Sequence, residues 1–208
     1  MARRQPNLFA SDEYPPGFHI RREFIDAPEE RGLLDALGRL DFSNVEMRGG
    51  VAKRRTVHYG WTYAYGARST EPGVEIPAFL LPLRMRAAAW AGIDADAFGE
   101  ALITEYPAGA GIGWHRDAPM FGDVIAGVSL GSGCQMKFRP YVSPKDLLPG
   151  HARPPRRTTH EVELPERSAY LITGVARRDF EHSIPATMGL RYSITFRTIR
   201  SPKGPRHR

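Results

Sequence analysis

The stretch ALITEYPAGAGIGWHRD, Ala101 to Asp117, decides the fold class, because within it the hydrophobic pattern changes from a helical period to a period of two. Leu102, Thr104 and Tyr106 alternate with Ile103 and Glu105, as on a strand, and a Gly-rich connection leads to a second run, Ile112 to Asp117. Downstream, Val124 to Leu130, Cys134 to Phe138, Glu161 to Leu164, Ala169 to Thr173, Phe180 to Ile184 and Leu190 to Ile199 read as further short strands. Upstream the pattern is helical after a short strand at Phe18 to Phe24. Asp26 suits an N-cap with Pro28 just inside, followed by Leu33, Leu34, Leu37 and Leu40, and a second helix is expected from Pro77 to Trp90. Eight short strands behind a helical layer predict a mainly β protein with flanking helices (α+β), a double-stranded β-helix or jelly roll whose mouth can hold a small ligand.

The 208 residues, 41% of them apolar, suit one domain, expected over residues 18–199, with the jelly-roll core at about 101–199. No apolar run approaches the ~18 residues of a membrane span, and MARRQP opens without a signal peptide's apolar stretch, which predicts a cytoplasmic protein. One cysteine, Cys134, excludes an intrachain disulfide and any Cys-rich zinc or iron–sulfur site. The formal charge of +6 is peripheral. Arg3 and Arg4 sit in a Pro-punctuated arm over residues 1–17, and Arg200, Lys203, Arg206 and Arg208 form a basic tail over 200–208. A Pro-rich basic loop over 139–160 adds a net +4, which the −4 of the remaining chain offsets. Such arms suit the backbone of a polyanion, although solubilising charge explains them too.

The chemical signal begins at His115-Arg116-Asp117, where residues two apart on a strand place an imidazole and a carboxylate on one side. His182, in a late strand, is the best third ligand, and two histidines with one carboxylate form the facial triad of non-haem Fe(II) oxygenases. With seven histidines in the chain, that combination alone is weak. RYSITFR (191–197) places Arg191, Ser193, Thr195 and Arg197 on one face and Tyr192, Ile194 and Phe196 on the other. Arginines lining a barrel need anions, and a dicarboxylate is one such partner. Taken alone, the alternation fits an ordinary amphipathic edge strand better. Tyr106 could donate to a ligand carboxylate. The glycines at 109, 111 and 113 precede no helix, so a dinucleotide site is rejected.

Taken together, ITEYPAGAGIGWHRD (103–117), VSLG (128–131), HSIP (182–185) and RYSITFR (191–197) resemble the successive motifs of the AlkB family, over roughly residues 50–198. The resemblance implies an Fe(II)- and 2-oxoglutarate-dependent dioxygenase that consumes dioxygen and yields succinate and carbon dioxide. It makes His115, Asp117 and His182 the iron ligands, Arg191 the partner of the distal carboxylate of 2-oxoglutarate, Tyr106 a hydrogen-bond donor to that co-substrate, and Arg197 the arginine at the metal-proximal end. Thr104 and Ser193 stand where the founding bacterial type has asparagines, and the interval from His182 to Arg191 is shorter than in that type.

KRRTVHYGWTYAY (53–65) joins a basic cluster to aromatics at 59, 61, 63 and 65, which on a strand share one face and could stack bases or wall the jelly roll. The family places its nucleotide-recognition lid here, at about 45–70, which makes Trp61, Tyr63 and Arg55 the expected substrate contacts. The expected function is oxidative dealkylation of N-alkylated bases, a DNA repair demethylation releasing an aldehyde, on single-stranded DNA by preference, by a monomer. Action on RNA or on a protein side chain is the alternative.

Overall fold

The computed structural model describes residues 14–47, 50–64, 69–143 and 159–200. Most of the N-terminal arm, residues 144–158 of the basic loop, the tail beyond Arg200 and Tyr65 lie outside the described residues. The first helix, α1 (Ala27–Leu37), starts where Asp26 accepts a hydrogen bond from the Glu29 amide, with a proline in its first turn. The second, α2 (Leu81–Ala91), follows a 3₁₀ turn at Ala78–Leu80 and ends at Gly92, whose φ of 68° is the left-handed stop that a glycine adopts without penalty. Together they cover one face of a large sheet. Leu33, Leu37, Leu83 and Ala87 pack there against Phe98, Ile103, Val128, Ile194 and Phe196.

That sheet has the strand order β1-β10-β7-β12-β5-β3-β2, with β4 joined to β3. Its members are β1 (Phe18–Arg21), β2 (Ser43–Met47), β3 (Gly50–Ala64), β4 (Ser69–Pro72), β5 (Phe98–Tyr106), β7 (Phe121–Gly131), β10 (Ala169–Ile172) and β12 (Arg191–Ile199). A smaller sheet, ordered β6-β11-β8-β9, comprises β6 (Ile112–His115), β8 (Cys134–Pro140), β9 (His160–Leu164) and β11 (Phe180–Ile184). The two sheets enclose a second core of Phe18, Ile125, Met136, Phe138, Val162, Leu164 and Tyr170. This is the expected jelly roll with its helical layer.

Each of the eight expected strands is present, seven with shifted ends and Phe180–Ile184 with the expected ones. Strand β5 begins at Phe98 instead of Ala101, and β6 stops at His115, so Asp117 lies beyond the strand. The strand β11 follows directly on a short helix, α3 (Gly174–Asp179), which the sequence reading does not include. Among the described residues no helix is long and apolar enough to cross a membrane.

Candidate active site

Antiparallel pairing of β11 with β6 sets His182 directly opposite His115, and their ring centroids are 4.3 Å apart. Asp117, two residues past His115, reaches the same point from the following turn, and its Oδ2 lies 3.7 Å from His182 Nε2. The turn is held from α3. The buried Arg177 guanidinium donates to the carbonyls of Asp117, Ala118, Phe121 and Gly122. The Nδ1–H of His115 donates to the Gly113 carbonyl at 2.9 Å, which leaves Nε2 as the free lone pair.

The three side chains line one cavity of about 480 Å³ between the sheets, within the range of small-ligand sites. Burial pushes the His182 imidazole down to about 3, and burial lowers His115 as well, so both rings are neutral near pH 7. Burial alone would raise the Asp117 carboxyl, but Arg197, His182 and His115 hold it well below the usual carboxylate range. Two neutral imidazoles and one ionised carboxylate are the donor states a divalent ion requires. Among the described residues no three such side chains are closed into a metal-binding cluster, and Arg197 holds Asp117 Oδ1 through its Nε at 2.7 Å. Donors on one ion at about 2.1 Å each are at most about 4.2 Å apart. The 3.7 Å between Asp117 Oδ2 and His182 Nε2 is within that limit, so this pair can share an ion, with His115 facing it from β6.

Strand β12 realises the expected division of faces. Ile194 and Phe196 enter the helix-side core, while Ser193, Thr195 and Arg197 face the cavity. Arg191 is wholly buried; its Nε donates to Ser129 Oγ at 3.0 Å, and its two terminal nitrogens have no partner among the described residues. A buried guanidinium left this way costs several kcal/mol or more without an anion, so its terminal nitrogens suit one. Its guanidinium carbon lies 5.1 Å from the ring of Tyr106, paired with it across β5 and β12, and Tyr106 stands on the cavity wall. Thr104 and Ser193 are also paired across these strands and also face the cavity.

The expected substrate contacts are distributed differently. On β3 it is Arg54, Thr56 and His58 that line the cavity. Arg55, on the other face, donates to both oxygens of Glu105 at 2.9 Å and does not reach the cavity wall. At Gly60 the backbone turns to a φ of 77°, and β3 leaves β5 to pair with β4. Trp61, 40% exposed, consequently borders a separate hollow beside Phe98, Gly99 and Arg84. Tyr63 sits further along this hairpin, opposite Thr70.

Sequence reasoning missed His58, Tyr170, Arg177 and Glu100. Glu100 is 1% exposed and accepts from Arg197 at 2.9 Å. Its signal is present in the sequence, since it shares the period-two face of Leu102, Thr104 and Tyr106, but a strand expected from Ala101 leaves it one residue outside.

Comparison with known proteins agrees with this geometry. The sequence model of the 2OG-Fe(II) oxygenase superfamily matches residues 36–197. The "Alkylated DNA repair protein ALKBH8 homolog" of Arabidopsis thaliana is 30% identical over 191 residues, which is 86% of this chain and 54% of that protein. The Mus musculus "tRNA (carboxymethyluridine(34)-5-O)-methyltransferase ALKBH8" is 27% identical over 82% of this chain and 24% of its own length. The chain thus spans about half of the first relative and a quarter of the second. In fold it is similar to the solved OsALKBH1 structure, with a TM-score of 0.65 at 14% identity, covering 89% of this chain and 98% of that one. A Pseudomonas putida prolyl-4-hydroxylase shares the fold at a TM-score of 0.57 and 16% identity, over 89% of this chain and 94% of that one. The chain belongs to the 2OG-Fe(II) oxygenase superfamily as an AlkB-like member, a dioxygenase of Fe(II), 2-oxoglutarate and dioxygen.

Proposed function

We propose that this oxygenase oxidatively dealkylates N-alkylated nucleic-acid bases, with His115, Asp117 and His182 holding the iron and Arg191, Tyr106 and Arg197 receiving 2-oxoglutarate. One observation carries the reading: a cavity with a two-histidine, one-carboxylate corner is walled by Tyr106, and 5.1 Å from that ring lies a fully buried arginine whose terminal nitrogens are unpaired among the described residues. Bound there, iron with 2-oxoglutarate and dioxygen supplies an oxidising power that no side chain has. The chain's own part is binding and orientation. The Gly113 carbonyl fixes the His115 tautomer, and Arg197 fixes one oxygen of Asp117. Arg191 grips the distal carboxylate with the planar donors that a lysine lacks. Buried Tyr106, whose phenol is pushed up by burial, stays protonated and able to donate. The enclosing sheets limit water at the reacting carbon.

On the substrate side, Arg54, Thr56 and His58 from β3 supply polar and cationic contacts at the cavity wall. A base must leave its stack to reach this depth, which favours single strands and weakly paired lesions. RNA is the second reading, supported by the relative described as acting on tRNA carboxymethyluridine. The test is succinate and aldehyde release from Fe(II)-reconstituted protein, with methylated single-stranded DNA, methylated RNA or no nucleic acid. The expected result is stimulation by one nucleic acid with matching aldehyde, abolished in His115→Ala. Succinate release that neither nucleic acid stimulates would refute the base-dealkylation reading and leave the oxygenase.

A further inference from the structure

We infer that Glu100 is a positioning residue of the iron site: it clamps Arg197 onto Asp117 so that a single Asp117 oxygen faces the metal position, and it ties this clamp to His58 on the cavity wall. The inference rests on the iron-site reading above.

Glu100 lies on β5, opposite Arg197 of β12 and Gly60 of β3, so its side chain sits between the metal corner and the wall proposed to face the substrate. Its two oxygens do different work. Oε2 accepts from Arg197 Nη1 at 2.9 Å, and Oε1 lies 3.4 Å from His58 Nδ1. The opposite edge of Arg197, through Nε at 2.7 Å and Nη2 at 2.6 Å, is spent on Asp117 Oδ1. Without Glu100 the guanidinium would be anchored on one edge only and free to pivot about it. With both edges held, Asp117 Oδ1 is occupied and Oδ2 remains toward His182.

Charge points the same way. Arg197 beside Asp117 draws electron density from the carboxylate that is to bind a cation. A second carboxylate on the same guanidinium divides that pull, so Asp117 keeps its donor strength. A fully buried Glu is costly to keep, and a neutral residue would fill the space without that cost. The pair therefore serves the site more than the fold. Glu100 touches neither iron nor substrate and acts only through Arg197 and His58.

The experiment titrates the full chain with Co²⁺ alone and follows its visible absorption in wild type, Glu100→Gln, Glu100→Ala and His115→Ala, with melting of the chelator-treated proteins as a fold control. Glu100→Ala is expected to weaken Co²⁺ binding by about 10- to 100-fold, as loss of outer partners does elsewhere. It is also expected to change band intensity, because a released Asp117 can donate both oxygens and raise the coordination number. Glu100→Gln keeps an oxygen for Arg197 without the charge and should fall between; if the alanine variant does not fold, this variant decides alone. Folded Glu100 variants with wild-type spectra and Co²⁺ affinity within twofold would overturn the inference. Wild-type Co²⁺ binding in His115→Ala would instead overturn the iron-site reading, and the inference with it.

Discussion

Arg191 Nε donates to Ser129 Oγ at 3.0 Å, and among the described residues this is the one hydrogen bond that the buried guanidinium makes, beside its contact with the Tyr106 ring at 5.1 Å. The rest of the guanidinium is held ready for an anion, at a cost to the fold when none is bound. In Arg191→Met, stabilisation by 2-oxoglutarate should therefore vanish, while the ligand-free protein melts no lower than wild type. For wild type, 2-oxoglutarate at a hundred times its Kd should add about 2.7 kcal/mol, read from melting with Co²⁺ present. A variant that keeps the wild-type response would remove Arg191 from the co-substrate site.

Gly127 and Tyr170 are packed against each other across β7 and β10. A Cβ on Gly127 would lie 2.2 Å from Tyr170 Cζ and 2.4 Å from its hydroxyl oxygen. Gly127→Ala should thus cost about 1–3 kcal/mol in denaturant unfolding, as overpacked cores do. Adding Tyr170→Ala should recover part of that loss. Additive losses in the double variant would mean that the clash is relieved elsewhere.

Arg177 is the strut of the turn that carries Asp117. Arg177→Met leaves four carbonyl oxygens of residues 117–122 without this donor. A stability loss of about 3 kcal/mol is expected, together with weaker Co²⁺ binding. Equilibrium unfolding and the Co²⁺ titration check both, and wild-type values in each would show that the turn stands unaided.

On β3 the cavity wall belongs to His58, while Trp61 borders the other hollow. His58→Ala is expected to raise KM for alkylated nucleic acid by about tenfold, equivalent to ~1.4 kcal/mol, and more than Trp61→Ala does. Both should retain 2-oxoglutarate decarboxylation without nucleic acid. The reverse order of effects would return base stacking to Trp61.

Acid should destabilise the metal-free protein in a defined window. His182, ordinarily near 6.5, is pushed down to about 3 by burial, so the unfolded chain takes up a proton that the folded one refuses. The stability tied to neutral His182 is complete above pH 6.5 and is lost as pH falls toward 3. Asp117, held low mainly by Arg197 against the opposing effect of burial, adds a loss in the same direction below its ordinary value of 3.8. Together they are worth on the order of a few kcal/mol. Unfolding in chelator from pH 7.5 to 4 should show stability falling below pH 6.5 in wild type and less steeply in His182→Gln.

Much of the molecule is legible without coordinates, because alternation and helical periodicity are local. The eight strands of the jelly roll, the Asp26 cap of α1 and the two faces of β12 all follow from side chains lying two or three to four positions apart. Asp117 lines the same cavity as His115, but from the turn after β6 and not from the strand face that alternation predicts. What cannot be read is set by pairing between strands distant in the chain. That Glu100 faces Arg197 depends on the register of β5 with β12, and that Arg177 braces the Asp117 turn depends on where α3 docks. The family resemblance assigns Trp61 to the substrate wall, but on β3 it is Arg54, Thr56 and His58 that line the cavity, Trp61 has the parity of Arg55, and past the left-handed Gly60 the strand leaves β5 to pair with β4. The sequence by itself determined the fold class and named the candidate site residues, through local stereochemistry and the ordered motifs. Only the tertiary structure decided their partners, because a buried charge is matched by whichever group the register brings within about 3 Å.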